Sequence, residues 1–370
     1  MTKLEKTLDN LPSPQSYALT ASDPKPIAAP ALNYAPPMPH DRTIGIGVIG
    51  AGGISAAHLE AYKKFGLNVI AICDRHLERA IARRDEYFPD ALATDIVEDL
   101  IARPDVRVLD ITTHVKDRIA LVVRALDAGK HVLSQKPFVR DLGVGGELVA
   151  LAEKRSLQLA VNQNGRWAPH LSYIREAVSA GLIGDPTGVQ IAVNWDHSWI
   201  AGTAFDQMPF VILEDFAIHW FDFLVSIIGD KADLVFATVS RAQGQTIPAP
   251  LLSQALVTFP GGQASLVFDG ALRHGASDTT IVVGPQGSLH SFGPNLGRQS
   301  VRLFTSEGVA QPELTGHWFN DGFAGTMGAL LCAIETGKAP INAARGNLSA
   351  LRLSRAAVES ARSDAPVRLA

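Results

Sequence analysis

Residues 44–74 read IGIGVIGAGGISAAHLEAYKKFGLNVIAICD, and no other stretch restricts the fold as much. A short β-branched strand (44–50) runs into a glycine-rich turn. A helix (51–65) and a second strand (68–74) ending in an acid follow. Gly50-Ala51-Gly52-Gly53-Ile54-Ser55 matches the dinucleotide fingerprint, with Ser in the third small position. Gly50 permits the tight turn and Gly52 lets backbone approach a pyrophosphate. The helix start at Gly53 and Ile54 supplies N–H groups and a positive dipole end. Asp74, 24 residues after Gly50, stands where a ribose-binding carboxylate belongs. Its charge repels a 2′-phosphate and favours NAD, while Arg75 beside it leaves NADP open. Gly45-Ile46-Gly47 begins a second match to the motif, but inside the strand it carries no weight.

Strand and helix patterns keep alternating to residue 164: helices at 77–88, 96–102, 119–129 and 142–156, strands at 106–112, 130–135 and 157–164. That alternation predicts a doubly wound parallel sheet over 43–165. The strand HVLSQ ends on Lys136 and Pro137. Proline donates no ladder hydrogen bond, so Lys136 falls at the carboxyl edge of the sheet, where such folds bind ligands.

From 166 to 370 the pattern changes. Helices are predicted at 167–185, 210–229, 323–337 and 347–363. Strand-like runs at 189–200, 234–240, 253–259, 264–270, 279–284 and 301–306 read as an antiparallel sheet with helices on one face. The late helices are free to pack back on the first domain. The fold class is therefore α/β, a Rossmann domain followed by an α+β domain with a large, mostly antiparallel open sheet. Residues 1–42, rich in Pro, Ala and Ser, form either a disordered tail or an extended arm on a partner subunit, anchored by Leu32, Tyr34 and Met38.

The helix at 210–229 carries Asp215, His219 and Asp222, whose spacings of four and three share one face. Acids and an imidazole amid Phe, Trp, Ile and Leu titrate in poor hydration, which suits proton transfer. A satisfied core histidine is the plain alternative for His219, and helix support the plainer role for Asp222. Trp195, His197 and Trp199 suit a sugar, as does the cluster at His317; ordinary half-buried sheet accounts for them equally well. Asn164 and Arg166 follow a strand of the first sheet and are expected near the cleft.

Hydrophobic content of 46%, charged content of 19% and a formal charge of −4 describe a soluble globular chain. They give no electrostatic case for nucleic acid or an anionic membrane. The two cysteines, Cys73 and Cys332, lie in apolar runs and read as buried thiols. No zinc-type spacing occurs, so no metal is expected. No membrane span and no export signal are visible, which places the chain in the cytoplasm.

VIGAGGIS with Asp74, AGKHVLSQKP (128–137), NQNGRW (162–167) and DFAIHWFD (215–222) together resemble the Gfo/Idh/MocA family of oxidoreductases. The resemblance implies a Rossmann domain, then an α/β domain whose open sheet mediates a homodimer or homotetramer. It implies Lys136 as the family's EKP lysine and Asp215 and His219 as its DxxxH pair. Three positions depart. Gln135 replaces the Glu before the lysine, the TPxxxH motif becomes Thr113-His114 through Arg118, and Pro209-Phe210-Val211 replaces a glycine run. Thr113, His114 and Gln135 are then expected beside the cofactor.

These readings predict NAD(P)-dependent oxidation of a secondary alcohol on a sugar, cyclitol or sugar acid. Lys136, His219 and Asp215 would be catalytic. Two alternatives stand beside it: a lyase or glycosidase using transient oxidation, and a non-enzymatic sensor of NAD or a metabolite.

Overall fold

The computed structural model describes residues 24–369. Residues 24–43 run along the body and contribute a two-residue strand, β1 (Pro26–Ile27). The chain then builds a parallel sheet from β2 (Gly45–Ile49), β3 (Val69–Cys73), β4 (Leu92–Thr94), β5 (Val106–Ile111), β6 (His131–Ser134) and β7 (Leu159–Val161). Their order is β4-β3-β2-β5-β6-β7, so the chain reverses direction across the sheet between β2 and β5. Every residue of β2 is buried, as expected where helices cover both faces of a parallel sheet. The connecting helices are α1 (Gly53–Lys64), α2 (Leu77–Tyr87), α3 (Val97–Ile101), α4 (Val115–Asp127) and α5 (Leu142–Lys154).

After α6 (Pro169–Ser179) the second sheet begins with β8 (Gly188–Asn194). A helix, α7 (Ile218–Ile228), precedes β9 (Leu234–Ser240), β10 (Leu252–Phe259), β11 (Gly262–Asp269), β12 (Ser277–Gly284), β13 (Gly287–Asn295), β14 (Arg298–Thr305) and β15 (Gly308–Ala310). The terminal helices α8 (Trp318–Thr336) and α9 (Ala344–Ser363) lead to β16 (Val367–Arg368). The ten strands run β1-β15-β14-β13-β12-β8-β11-β10-β9-β16. All neighbours are antiparallel except β8 with β11 and β1 with β15. Burial alternates along β10: Ser253, Ala255, Val257 and Phe259 face the core, Gln254, Leu256 and Thr258 face out. One face is thus packed under helices and the other left bare.

The late helices close the gap between the sheets. Phe323, Met327, Leu330 and Leu331 of α8 share a core with Leu59 and Tyr62 of α1. Leu351 of α9 packs in the cluster of Val122 and Leu148. Each such side chain contributes roughly 1.5–3 kcal/mol by leaving water, so the two sheets are bound into one body.

Residues 24–42 lie on their own chain. Leu32 and Tyr34 pack against the core of the large sheet, and Met38 against the Rossmann core. Ser172 donates to the Tyr34 carbonyl at 2.8 Å, and the Glu335 carboxylate accepts the His40 and Asp41 N–H groups. The anchors expected to grip a partner therefore grip the same protomer. The part of the expected tail at 1–23 lies outside the described residues.

A predicted helix is interrupted, the strand predicted over 189–200 ends at Asn194, and strands appear where none was predicted. The helix predicted over 210–229 is broken: residues 212–216 form a π-turn, and α-helix resumes at Ile218. The Ala217 N–H reaches back to the Ile212 carbonyl at 2.7 Å. β13 was not predicted, because GSLHSFGPN opens on Gly and ends in Gly-Pro-Asn, which reads as turn.

Candidate active site

The glycine turn comes first, since it sets the edge of the sheet on which everything else converges. Gly50 holds φ +105°, a conformation that side chains strain against. A Cβ there would also meet Thr112 Oγ1 at 2.8 Å. At Gly52 and Gly53 a Cβ would meet nothing within 4 Å, so the space over the turn is open. No side chain caps the start of α1 and no acid stands in its first turn, which leaves the N–H groups at Gly53 and Ile54 for an anion. Asp74, at the end of β3, is aimed by two backbone donors. Ala51 N–H binds Oδ2 at 2.7 Å and His76 N–H binds Oδ1 at 2.9 Å. Arg75 is exposed beside it. An open, uncapped turn with a fixed carboxylate 23 residues beyond Ala51 fits a dinucleotide.

Thr113 and His114 follow β5. The Thr113 hydroxyl is buried without a partner, and His114 is exposed at the start of α4. Gln135, after β6, accepts from Asn162 Nδ2 at 2.5 Å. Asn162 in turn meets His58 Nε2 at 3.1 Å and takes the Thr326 hydroxyl at 2.8 Å. The amide is therefore held from below by a buried network.

Lys136 leaves this edge and crosses to the second domain. Its Nζ donates to the Asp215 carbonyl at 2.9 Å and to Asp215 Oδ1 at 3.0 Å. The π-turn explains the first contact: an i+5 turn leaves a carbonyl off the helical ladder and re-aims it. His219, half-buried on α7, has its Nδ1 sealed without a partner. Trp318 lies edge-on to its ring at 5.5 Å. Gly165 allows this approach, since a Cβ there would come within 3.5 Å of His219 Nδ1 and 3.0 Å of Trp318. Burial, reinforced by the charge of Lys136, holds the His219 pKa well below the usual histidine value. The imidazole is neutral and basic lone-pair density is available.

Trp195, His197, Trp199 and Phe216 form an aromatic wall. His197 Nδ1 accepts from both indoles, at 2.9 Å from Trp195 and 3.2 Å from Trp199. Burial pushes its pKa down to about 4. Phe216 stacks on Trp195 with centroids 4.0 Å apart, so one face of that indole is already covered. Trp199 is 61% exposed. Beyond the stack, a cavity of about 270 Å³ is lined by Asn194, Trp195, Phe216, Ser277, Asp278 and Leu296.

Other expected residues land elsewhere. Arg166 does not present its charge to a ligand. Nε and Nη2 bind the Asp222 carboxylate at 2.6 and 2.9 Å, and Nη1 donates to the Ile341 carbonyl. Both side chains are buried, and a desolvated guanidinium requires such a partner. Asp222 is thereby committed to Arg166. Asn164 is buried with Oδ1 unpartnered, beside α8 at Gly322. His317 is exposed and starts α8, its N–H on Asp321. The next residue, Trp318, is the one that meets His219.

Sequence reasoning passed over Phe216, Trp318, Asp278 and Arg118. Asp278 is buried, and burial raises its carboxyl to about 7. It stands 3.8 Å from His170, whose ring approaches Trp318 at 6.5 Å. An acid inside the alternating strand SDTTIVVG was the available signal for Asp278.

Residues 44–163 match the oxidoreductase family with an NAD-binding Rossmann fold, Gfo/Idh/MocA, and residues 171–290 match that family's C-terminal domain. The chain belongs to the Gfo/Idh/MocA oxidoreductases. It is an NAD-binding enzyme of that family. The D-apiose dehydrogenase of Paraburkholderia graminis is 30% identical over 60% of this chain and 58% of its own length. An inositol 2-dehydrogenase of Rhizobium meliloti is 26% identical over 86% and 97%. In fold, the chain is similar to an Agrobacterium radiobacter oxidoreductase solved with NAD+, L-tartaric acid and magnesium. The TM-score is 0.78 at 21% identity, covering 88% of this chain and 98% of that one. The Gfo/Idh/MocA chain described here thus shares its architecture with dehydrogenases while carrying Gln135 and Arg118 where the motifs differ.

Proposed function

We propose that the protein oxidises a secondary alcohol of a sugar, cyclitol or sugar acid with NAD, and that Lys136, Asp215 and His219 carry the reaction. One observation supports this most: the Lys136 ammonium is fixed 3.0 Å from Asp215 Oδ1, four residues before a neutral, half-buried His219. An ammonium has three donors, and two are engaged by Asp215. The third is left for the reacting oxygen, where it favours developing negative charge. His219 takes the hydroxyl proton; with Nδ1 sealed, Nε2 is the nitrogen that does so. Asp215 sets the direction of the ammonium. Bound NAD supplies the hydride acceptor.

Gly50, Gly52, Gly53 and Ile54 would receive the pyrophosphate, and Asp74 the ribose. The open face of Trp195 lines the substrate's side. Named relatives acting on apiose and inositol support the carbohydrate class. Two unpaired thiols, Cys73 and Cys332, fit a reducing cytoplasm. The bare outer face of the large sheet fits a second copy of this chain, giving a homo-oligomer.

Purified protein incubated with a panel of sugars, cyclitols and sugar acids, with NAD and NADP in parallel, tests the reading at the nicotinamide absorbance. Reduced cofactor with one substrate class is expected. Product without net reduced cofactor would mean transient oxidation instead, and nucleotide binding with no product across the panel would place the substrate outside these classes.

A further inference from the structure

Arg118, on α4, is 2% exposed, and its partners are carbonyl oxygens rather than a carboxylate. Nε and Nη2 donate to the Thr113 carbonyl at 3.2 and 2.6 Å. Nη1 donates to the Pro137 carbonyl at 2.6 Å and to the Gln135 carbonyl. Gln135 and Pro137 flank Lys136, and Thr113 lies in the loop after β5. One rigid fork therefore ties the lysine's backbone, on both sides, to the neighbouring strand end. Burial lowers the guanidinium to about 9, against the pull of Asp110. That still leaves it charged at neutral pH.

Its place in the sheet gives the charge a consequence. Strand order reverses between β2 and β5, and a dinucleotide lies across that point. Asp74 marks the adenosine half, over β2 and β3. The ends of β5 and β6, with Thr113 and Lys136, mark the nicotinamide half. In the proposed oxidation the substrate hydroxyl would give its proton to His219 and its carbon a hydride to bound NAD. A nicotinamide bound there would be cationic only in its oxidised form. A fixed cation nearby repels the oxidised ring more than the reduced one. Lys136 is the other cation there, but Asp215 offsets it; Arg118 has no such pair. The opposing charge that acts on it is Asp110, held by His58 Nδ1 and the Tyr62 hydroxyl, each at 2.7 Å.

We propose that Arg118 is the fixed positive charge of the nicotinamide half, holding both flanks of Lys136 and biasing the bound cofactor toward its reduced form. This rests on the dehydrogenase reading above.

The test is the ratio of NAD+ to NADH dissociation constants, measured on the full chain by calorimetry and NADH fluorescence, without substrate. The wild type should bind NADH about tenfold more tightly, the size expected of one charge at partly screened short range. Arg118→Gln should shrink that ratio about fivefold or more. Arg118→Lys should keep most of the ratio while lowering turnover, because charge survives and the fork does not. Asp110→Asn should widen the ratio, and it decides the matter if Arg118→Gln does not fold. An unchanged ratio in folded Arg118→Gln, or in Asp110→Asn, overturns the inference alone. An Arg118→Lys ratio as small as that of Arg118→Gln does the same. A wild type that binds neither nucleotide overturns the dehydrogenase reading and this inference with it.

Discussion

Lys136 and Asp215 meet twice: the ammonium bonds both the carboxylate, at 3.0 Å, and the carbonyl, at 2.9 Å, of the same residue. The second bond exists because a π-turn lifts that carbonyl out of the helix. A strand end of one domain and a helix start of the other are thereby joined at the reacting oxygen's expected place. Lys136→Met should lower kcat by about 10²–10³-fold, as loss of one oriented donor does. NADH affinity, read by fluorescence, should change little. Near-normal kcat would remove Lys136 from the catalytic set.

Acid should weaken the fold. Burial lowers His170 to about 3, His131 to about 4 and His197 to about 4, and burial with the charge of Lys136 also lowers His219 well below the usual histidine value. Unfolded histidine takes up a proton near pH 6.5, about where these folded rings refuse one. Stability is full above that value and falls as pH drops from it toward the folded values. For the fully buried His170 and His197 the loss is about 2 kcal/mol each near pH 5. Asp278, raised to about 7, works the other way: its contribution is greatest in acid and shrinks as pH rises from the normal carboxylate range. Four rings outweigh one carboxyl. A Tm falling steadily between about pH 6.5 and 4 is the expected scan, and His170→Gln should flatten it.

Arg166 and Asp222 should prove structural. Breaking a buried ion pair from one side leaves a bare charge and costs about 3–5 kcal/mol. Arg166→Met and Asp222→Asn should each show that loss in urea unfolding. The double replacement Arg166→Met with Asp222→Leu should lose less than the two singles added. Folded single variants that lose substrate affinity while keeping wild-type stability would return Arg166 to the substrate site.

The bare sheet face carries Leu256 and Phe292, 56% and 61% exposed. Large exposed apolar side chains on an open sheet fit a partner. Replacing both with Glu should convert an oligomer into a monomer by sedimentation, with NADH binding retained. A wild type that already sediments as a monomer refutes self-association.

Some of this was readable before any coordinates. The glycine turn, Asp74 and the strand-to-proline stop at Lys136 are local signals, each written within a few residues. The π-turn was not readable, because ILEDF is a good helical sequence. The carbonyl that the turn frees is taken by Lys136, and that lysine lies 79 residues away. Arg166 misled for a related reason. Standing after a strand of the doubly wound sheet put it near the cleft, but only packing shows its charge matched to Asp222, 56 residues on.

By itself the sequence determined the kind of molecule: two domains in order, a nucleotide turn, and which residue types sit at the strand ends. Hydrophobic period and turn chemistry act over one element at a time, so they are legible in a single chain. Only the tertiary structure decided which charges pair and which side chain reaches the imidazole: Trp318 rather than its neighbour His317. It also decided that Arg118 clasps the lysine loop. Those outcomes depend on close packing and desolvation between segments far apart in the chain, where a fraction of a turn separates a buried partner from an exposed one.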